Sequence, residues 1–324
     1  MFLRFPRVLP MIFAGMLLLA AATGVFTMSS APAAATAAQL PQGVSDQTYR
    51  VSVDLVNILC SVFDKRTKTF VTSMGQGDFS IFEDGKRQEV RNFTRETDLP
   101  LTLAMLVDTS NTVKQKLDFE QDAATSFFAN LLKEKDRAML VEFNTSVTMR
   151  QDFTSDANKL ANQLRKLRVG GDTALYDAIH ITCDQKMIRE NGRKAMVILS
   201  DGEDTVSTIS YKQAVEMAIR AECTIFSVSI NKAGFFGVGD NTKEGDKTLK
   251  NLALETGGKV FFPFKVEELE DAFRQINQEL RSQYSLGYVS SNPRRDGGFR
   301  KIEIKVPEGG VELNYRKGYY APSN

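Results

Sequence analysis

Four stretches of nearly unbroken apolar character, LTLAMLV (101–107), RAMLVEF (137–143), AMVILS (195–200) and TIFSVSI (224–230), alternate along the chain with stretches of helical period. A strand without a polar face is one buried on both sides, as in a mostly parallel sheet. Between these runs apolar residues recur every three or four positions. The spacing predicts helices over Val113–Leu132, with Leu117, Ala124, Phe128 and Leu131 inward, and over Ser155–Leu167, Ala174–Arg189, Tyr211–Ala221, Lys247–Thr256 and Val266–Arg281. MLVEFNTSVTMRQDF reads as a tight hairpin, so one edge strand runs antiparallel to the rest. Strand and helix in alternation predict an α/β domain over 97–281, with a doubly wound, mostly parallel sheet.

The flanks change period. YRVSVDLV (49–56), NILCSVFD (57–64), TFVTSM (69–74), FSIFED (79–84) and EVRNFT (89–94) favour strands, and Asp84-Gly85 marks a hairpin turn. After residue 281 come YSLGYVS, FRKIEIKV and VELNYRKGYY. Two or three strands alone are marginal. The strands of 47–96 and 282–324 are therefore expected to pair as a small β-sandwich module into which the α/β domain is inserted.

Ahead of both lies a basic start (Arg4, Arg7), an apolar run from Val8 to Val25 and an Ala35-Thr36-Ala37 site. That order reads as a secretory signal peptide over 1–38. An uncleaved membrane anchor is the alternative, because the run approaches the length of a span. A secreted or periplasmic protein is expected, membrane-associated only if the segment is retained. With 41 basic and 40 acidic residues, no global field draws the chain to nucleic acid. A single His excludes a zinc site built from several imidazoles. Cys60, Cys183 and Cys223 all sit in apolar segments and are expected to be buried thiols rather than a disulfide.

The chemistry collects where apolar runs end. Directly after 101–107 stand Asp108, Ser110 and Thr112, a carboxylate and two hydroxyls at alternate positions of a strand-to-helix turn. All their contacting atoms are oxygens, a set suited to a hard divalent cation. The same residue types also cap helix N-termini, so the motif alone leaves both readings open. Two further segments favour the cation. GGDTALYDAI puts Thr173 at the head of a helix after a glycine turn, and AMVILSDGEDT ends a strand in Asp201, Gly202, Glu203 and Asp204. In open α/β sheets ligands collect outside the carboxyl ends of the strands.

Asp-x-Ser-x-Thr, a distant Thr and a distant Asp, in that order, resemble the von Willebrand factor A domain with its metal ion-dependent adhesion site (MIDAS). Thr112 stands where that family usually has Ser, and Asn111 where Gly is common. FSIFEDGKRQEV, DTALYDAI, LSDGEDT and LRSQYSLGYVSSN…RKGYYAP extend the resemblance, from about residue 50 to the end, to bacterial VWFA-related secreted proteins of the acidobacterial type. The resemblance implies a Rossmann-like domain and a metal set of Asp108, Ser110, Thr112, Thr173 and Asp201. It implies Mg2+, or Mn2+ or Ca2+, as the ion, and a protein ligand that supplies an Asp or Glu. The function expected is a non-enzymatic, adhesion-type binding module. The alternatives are an envelope scaffold with a vestigial site and a metal-assisted hydrolase; the latter lacks a second Asp two residues after Asp108, a phosphate loop and an evident base.

Lesser candidates have plainer readings beside the functional one. Asp172, Glu203 and Asp204 either tune the site's field or are solvated loop acids. His180 reads as a core or surface histidine. Phe235 and Phe236, at the tip of a Gly-rich loop, either contact a partner or tuck beneath it. Asn292 to Arg295 reads as a charged turn.

Overall fold

A computed structural model describes residues 55–95, 99–113, 117–231, 242–307 and 309–323. The predicted signal segment, the start of the first predicted strand and the Phe235–Phe236 loop lie outside the described residues.

The described residues begin with five strands, β1 (Leu55–Asp64), β2 (Thr69–Phe70), β3 (Ser80–Glu83), β4 (Lys86–Gln88) and β5 (Val90–Arg95). β1 alternates, burying Val56, Ile58, Cys60 and Val62 on one face. β3 reverses into β4 through Asp84 and Gly85, whose φ of 46° and 80° are the left-handed values that a two-residue hairpin turn needs.

The α/β domain follows as β6 (Leu101–Asp108), α1 (Leu117–Leu131), β7 (Arg137–Phe143), β8 (Val147–Thr154), α2 (Ala157–Leu164) and α3 (Leu175–Gln185), then β9 (Arg193–Ser200), α4 (Tyr211–Arg220), β10 (Cys223–Ser229), α5 (Thr242–Thr256), β11 (Val260–Phe261) and α6 (Val266–Leu280). The sheet order is β11-β10-β9-β6-β7-β8. Every pairing is parallel except β7 with β8, the predicted hairpin. All eight residues of β6 and of β9 are buried. Successive side chains on a strand point to opposite faces. Leu103, Met105 and Val107 accordingly pack with Phe127, Phe128, Phe273 and Ile276, while Ala104 and Leu106 pack with Leu175, Ile179, Ala218 and Leu252. Each large apolar side chain so buried contributes about 1.5–3 kcal/mol.

The helices follow from their own residues. Asp156 caps α2 by accepting from the Asn158 and Lys159 amides, and Ser210 opens α4 with a capping box completed by Gln213. α6 buries Leu269, Ala272, Phe273, Ile276 and Leu280, a stripe at helical spacing. Several predicted bounds shift, α2 among them, which is shorter at both ends than Ser155–Leu167. Val113 belongs to a 3-10 turn over Asn111–Val113, and Met187–Arg189 is a separate 3-10 turn after α3. α5 starts five residues earlier than its apolar periodicity signals, at Thr242.

The chain ends with β12 (Tyr284–Val289), β13 (Phe299–Lys305), β14 (Val311–Tyr315) and β15 (Gly318–Tyr320). VELNYRKGYY is therefore not one strand. β14 joins β1, β12 and β5 in one sheet, and β15 joins β13, β3 and β4 in another. The switch occurs at Arg316, whose Nη2 donates to the Asn57 carbonyl (2.6 Å) and to Glu222 (3.0 Å). The two sheets share a core that includes Ile58, Ile81, Leu286, Ile302 and Ile304. β5 and β12 pair antiparallel, with Arg95 opposite Tyr284, so the chain enters and leaves the α/β domain side by side. Cys60, Cys183 and Cys223 are all buried and free, as expected.

Candidate metal centre

β6 and β9 are parallel neighbours, and the Val107–Leu199 register brings Asp108 beside Ser200, with Asp201 next in the chain. The Ser200 hydroxyl donates to Asp108 Oδ2 (2.7 Å), and the Ser110 amide donates to Asp108 Oδ1 (2.9 Å). The Ser110 and Thr112 hydroxyl oxygens lie 2.8 Å apart. A third segment closes on these two. Asn111 N donates to the Gly171 carbonyl (3.0 Å) and Gly170 N to the Thr109 carbonyl (2.8 Å), laying residues 170–173 against the Asp108 turn. Thr173 is stitched in turn to the loop after Asp201: its amide donates to Thr205 Oγ1 (3.0 Å), and its carbonyl accepts from the Thr205 and Val206 amides. Asp201 Oδ1 accepts the Glu203 amide (3.1 Å).

The segments carrying all five predicted residues thus meet at the carboxyl rim of the parallel strands. Asp108, Ser110, Thr173 and Asp201 are buried, and Thr112 is exposed. Burial, with the charge of Asp201 adding to it, pushes the Asp108 carboxyl up to about 6; the hydrogen bonds from Ser110 and Ser200 oppose the rise without cancelling it. Glu203 is also raised, by its own burial and then by Asp201. Among the described residues no Lys or Arg forms an ion pair with Asp108 or Asp201; the largely buried pair of Arg281 with Asp136 lies elsewhere. Two acids buried close together cost free energy that a cation offsets.

The donors suit a hard cation: two carboxylates and three hydroxyls, all oxygen. Among the described residues no three His, Cys, Asp or Glu side chains group as a metal cage, so an acid-rich site is not what these residues offer.

Sequence reasoning missed Ser200, which reads in the sequence as the ordinary polar end of an apolar run. It also missed Asn231, whose Nδ2 donates to the Asp201 carbonyl (2.7 Å) from across the loop. The lesser candidates separate. The Asp204 carboxylate accepts the Tyr176 amide (3.1 Å) and the Ser207 hydroxyl (2.5 Å), which holds the start of α3. Asp172 is exposed, Glu203 and His180 are half-buried, and Arg294 and Arg295 lie on an exposed turn.

Acids and hydroxyls gathered at the strand ends of an α/β, Rossmann-like sheet define a class of domain. The family model of the von Willebrand factor type A domain matches residues 102–279, and the chain belongs to that family. Among solved structures, an aerotolerance-related membrane protein from Bacteroides fragilis is similar at 17% identity, over 56% of this chain and 98% of that one, with a TM-score of 0.46. The vWF domain of the type V pili tip protein Mfa5 from Porphyromonas gingivalis is similar at 14% identity, over 56% and 94%, with a TM-score of 0.47. Proximal thread matrix protein 1 from the mussel byssus, with a zinc-occupied MIDAS motif, is similar at 14% identity, over 61% and 49%, with a TM-score of 0.48. No curated protein matches the sequence.

Proposed function

We propose that the protein is an exported, non-enzymatic binding module that docks a partner protein's Asp or Glu through a divalent cation held by Asp108, Ser110, Thr112, Thr173 and Asp201. The observation that carries this reading is the pair of buried acids on adjacent strand ends with hydroxyls around them and, among the described residues, no ion pair to Lys or Arg. Two formal negative charges match a divalent ion, which then keeps enough electrophilic character to accept a third carboxylate from outside. Ser110 and Thr112 supply neutral oxygens, and the exposure of Thr112 leaves that side of the rim open to a partner.

The ion, Mg2+ or else Mn2+ or Ca2+, supplies the electrostatic bridge; everything else is positioning by this chain. The two flanking sheets, which share one core, support reading 47–96 and 282–324 as one sandwich around an inserted domain of 97–281, whose sheet is doubly wound. Residues 1–38 act as the signal that exports the protein. Among the described residues no helix is long and apolar enough to cross a membrane.

Calorimetric titration with Mg2+ and Mn2+, with Asp108→Ala as control, tests the reading. Saturable binding that Asp108→Ala abolishes supports it. An absence of binding by the unsubstituted protein overturns it.

A further inference from the structure

Asp201 reaches the rim from a loop with no regular structure, and the nearby charge of Asp108 repels it. Something must hold its peptide from behind. Nδ2 of Asn231, just beyond the end of β10, donates to the Asp201 carbonyl (2.7 Å) and to Asp246 Oδ1 on α5 (3.0 Å). A side-chain amide has two N–H donors, and here each has its own acceptor. The same Asp246 oxygen accepts the Ser229 hydroxyl (2.5 Å), and that hydroxyl oxygen accepts the Asn231 amide (3.3 Å).

The backbone is built to the same end. A Cβ on Gly245 would overlap the Asp201 carbonyl oxygen, and one on Gly202 would overlap the Gly245 carbonyl. α5 therefore abuts the Asp201–Gly202 turn directly, and Asp246 stands one residue further along it.

We propose that Asp246, acting through Asn231, is the positioning residue that aims Asp201 at the cation. This inference rests on the metal-binding reading above. Asp246 acts at one remove: it fixes the rotamer of Asn231, and Asn231 fixes the peptide that carries the Asp201 carboxylate. The chemistry required of Asp246 is an acceptor oxygen rather than a charge. An Asn in its place still offers one.

The test is Mn2+ titration of the full chain by calorimetry, beside thermal unfolding in EDTA. Asn231→Ala and Asp246→Ala are expected to weaken Mn2+ about ten- to a hundredfold, the range found when supporting partners of metal ligands are removed. Asp246→Asn, which keeps an acceptor, is expected to stay within about threefold of the unsubstituted chain. Metal-free unfolding temperatures that stay close across the set separate positioning from a general role in folding. If Asp246→Ala does not fold, Ser229→Ala removes one of its donors more gently and should still weaken Mn2+ measurably.

Folded variants that bind Mn2+ like the unsubstituted chain would overturn the inference while leaving the metal site intact. So would an Asp246→Asn as weak as Asp246→Ala, which would make the effect one of charge. An unsubstituted chain that binds no Mn2+ overturns the site itself and this inference with it, and that arm is read first.

Discussion

The Ser200 hydroxyl donates to Asp108 Oδ2 (2.7 Å) and accepts the Gly202 amide (3.0 Å), so one side chain ties together the two turns that carry the acids. Ser200→Ala leaves a buried carboxylate oxygen short of a donor, and hydrogen bonds to charged groups contribute about 1.5–3 kcal/mol. Urea unfolding of the metal-free protein should show a loss of that order, and a loss well under it would mean that water replaces the hydroxyl. Gly202 is the second single-residue test. Its φ of 81° is a value L side chains rarely adopt, and a Cβ there would overlap the Gly245 carbonyl. Gly202→Ala should destabilise by more than about 1 kcal/mol and should weaken cation binding as well, because the displaced turn carries Asp201. Equal stability with unchanged binding would show that the turn relaxes without moving the acid.

At the scale of elements, the rim opposite the metal site is held by Asp136, in the turn between α1 and β7. Its Oδ1 accepts the amide of Leu101 at the start of β6 (2.9 Å), and its Oδ2 accepts the Lys133 amide (3.0 Å) and an ion pair from Arg281 at the end of α6. Burial acts to raise this carboxyl, but the bonds from Arg281, Leu101 and Lys133, with the Arg281 charge, outweigh it and hold the carboxyl below its ordinary range. A depressed folded-state pKa means that the fold favours the ionised form. The stability it contributes is present above the unfolded value, near 4, and is lost as pH falls through the folded one. Asp136→Asn should therefore cost about 1.5–3 kcal/mol at pH 7, and the deficit should close toward pH 2. A deficit that does not change with pH would assign the effect to geometry rather than charge. Elements also divide what the sequence discloses from what it conceals. β6, β9 and β10 were legible because strands buried on both faces are continuous apolar runs, and Asp108 and Asp201 because each follows such a run. The start of α5 was not, because Thr242-Lys243-Glu244-Gly245-Asp246 has no apolar period. Nor was the split of β14 from β15, since VELNYRKGYY keeps its strand character throughout. What divides it is Arg316, whose partners Asn57 and Glu222 are remote in sequence.

At the scale of the molecule, the described residues form one compact unit although two architectures alternate within it. The reason lies in how the flanking strands grip the α/β domain. Glu279, buried on α6, accepts the Ser61 hydroxyl of β1 (2.6 Å) and the side-chain Nδ2 of Asn314 on β14 (2.8 Å) through one oxygen. The backbone of Tyr315 and Arg316 runs so close to Gly257, just past the end of α5, that a Cβ there would overlap it. Arg193, buried at the start of β9, donates to the Leu99 and Leu280 carbonyls, one on the way into the domain and one on the way out. A buried guanidinium bound to both connections couples their order, since freeing either leaves a charge short of partners. The two parts should therefore melt together. Calorimetry of the protein is expected to give one transition whose calorimetric and van't Hoff enthalpies agree, the mark of all-or-none unfolding. Arg193→Met should lower that transition and broaden or divide it, because the clamp and not the length of the connections enforces the coupling. Two separate transitions in the unsubstituted protein would show that the flanking sheets and the α/β domain fold independently, and would leave Glu279 and Arg193 as local contacts.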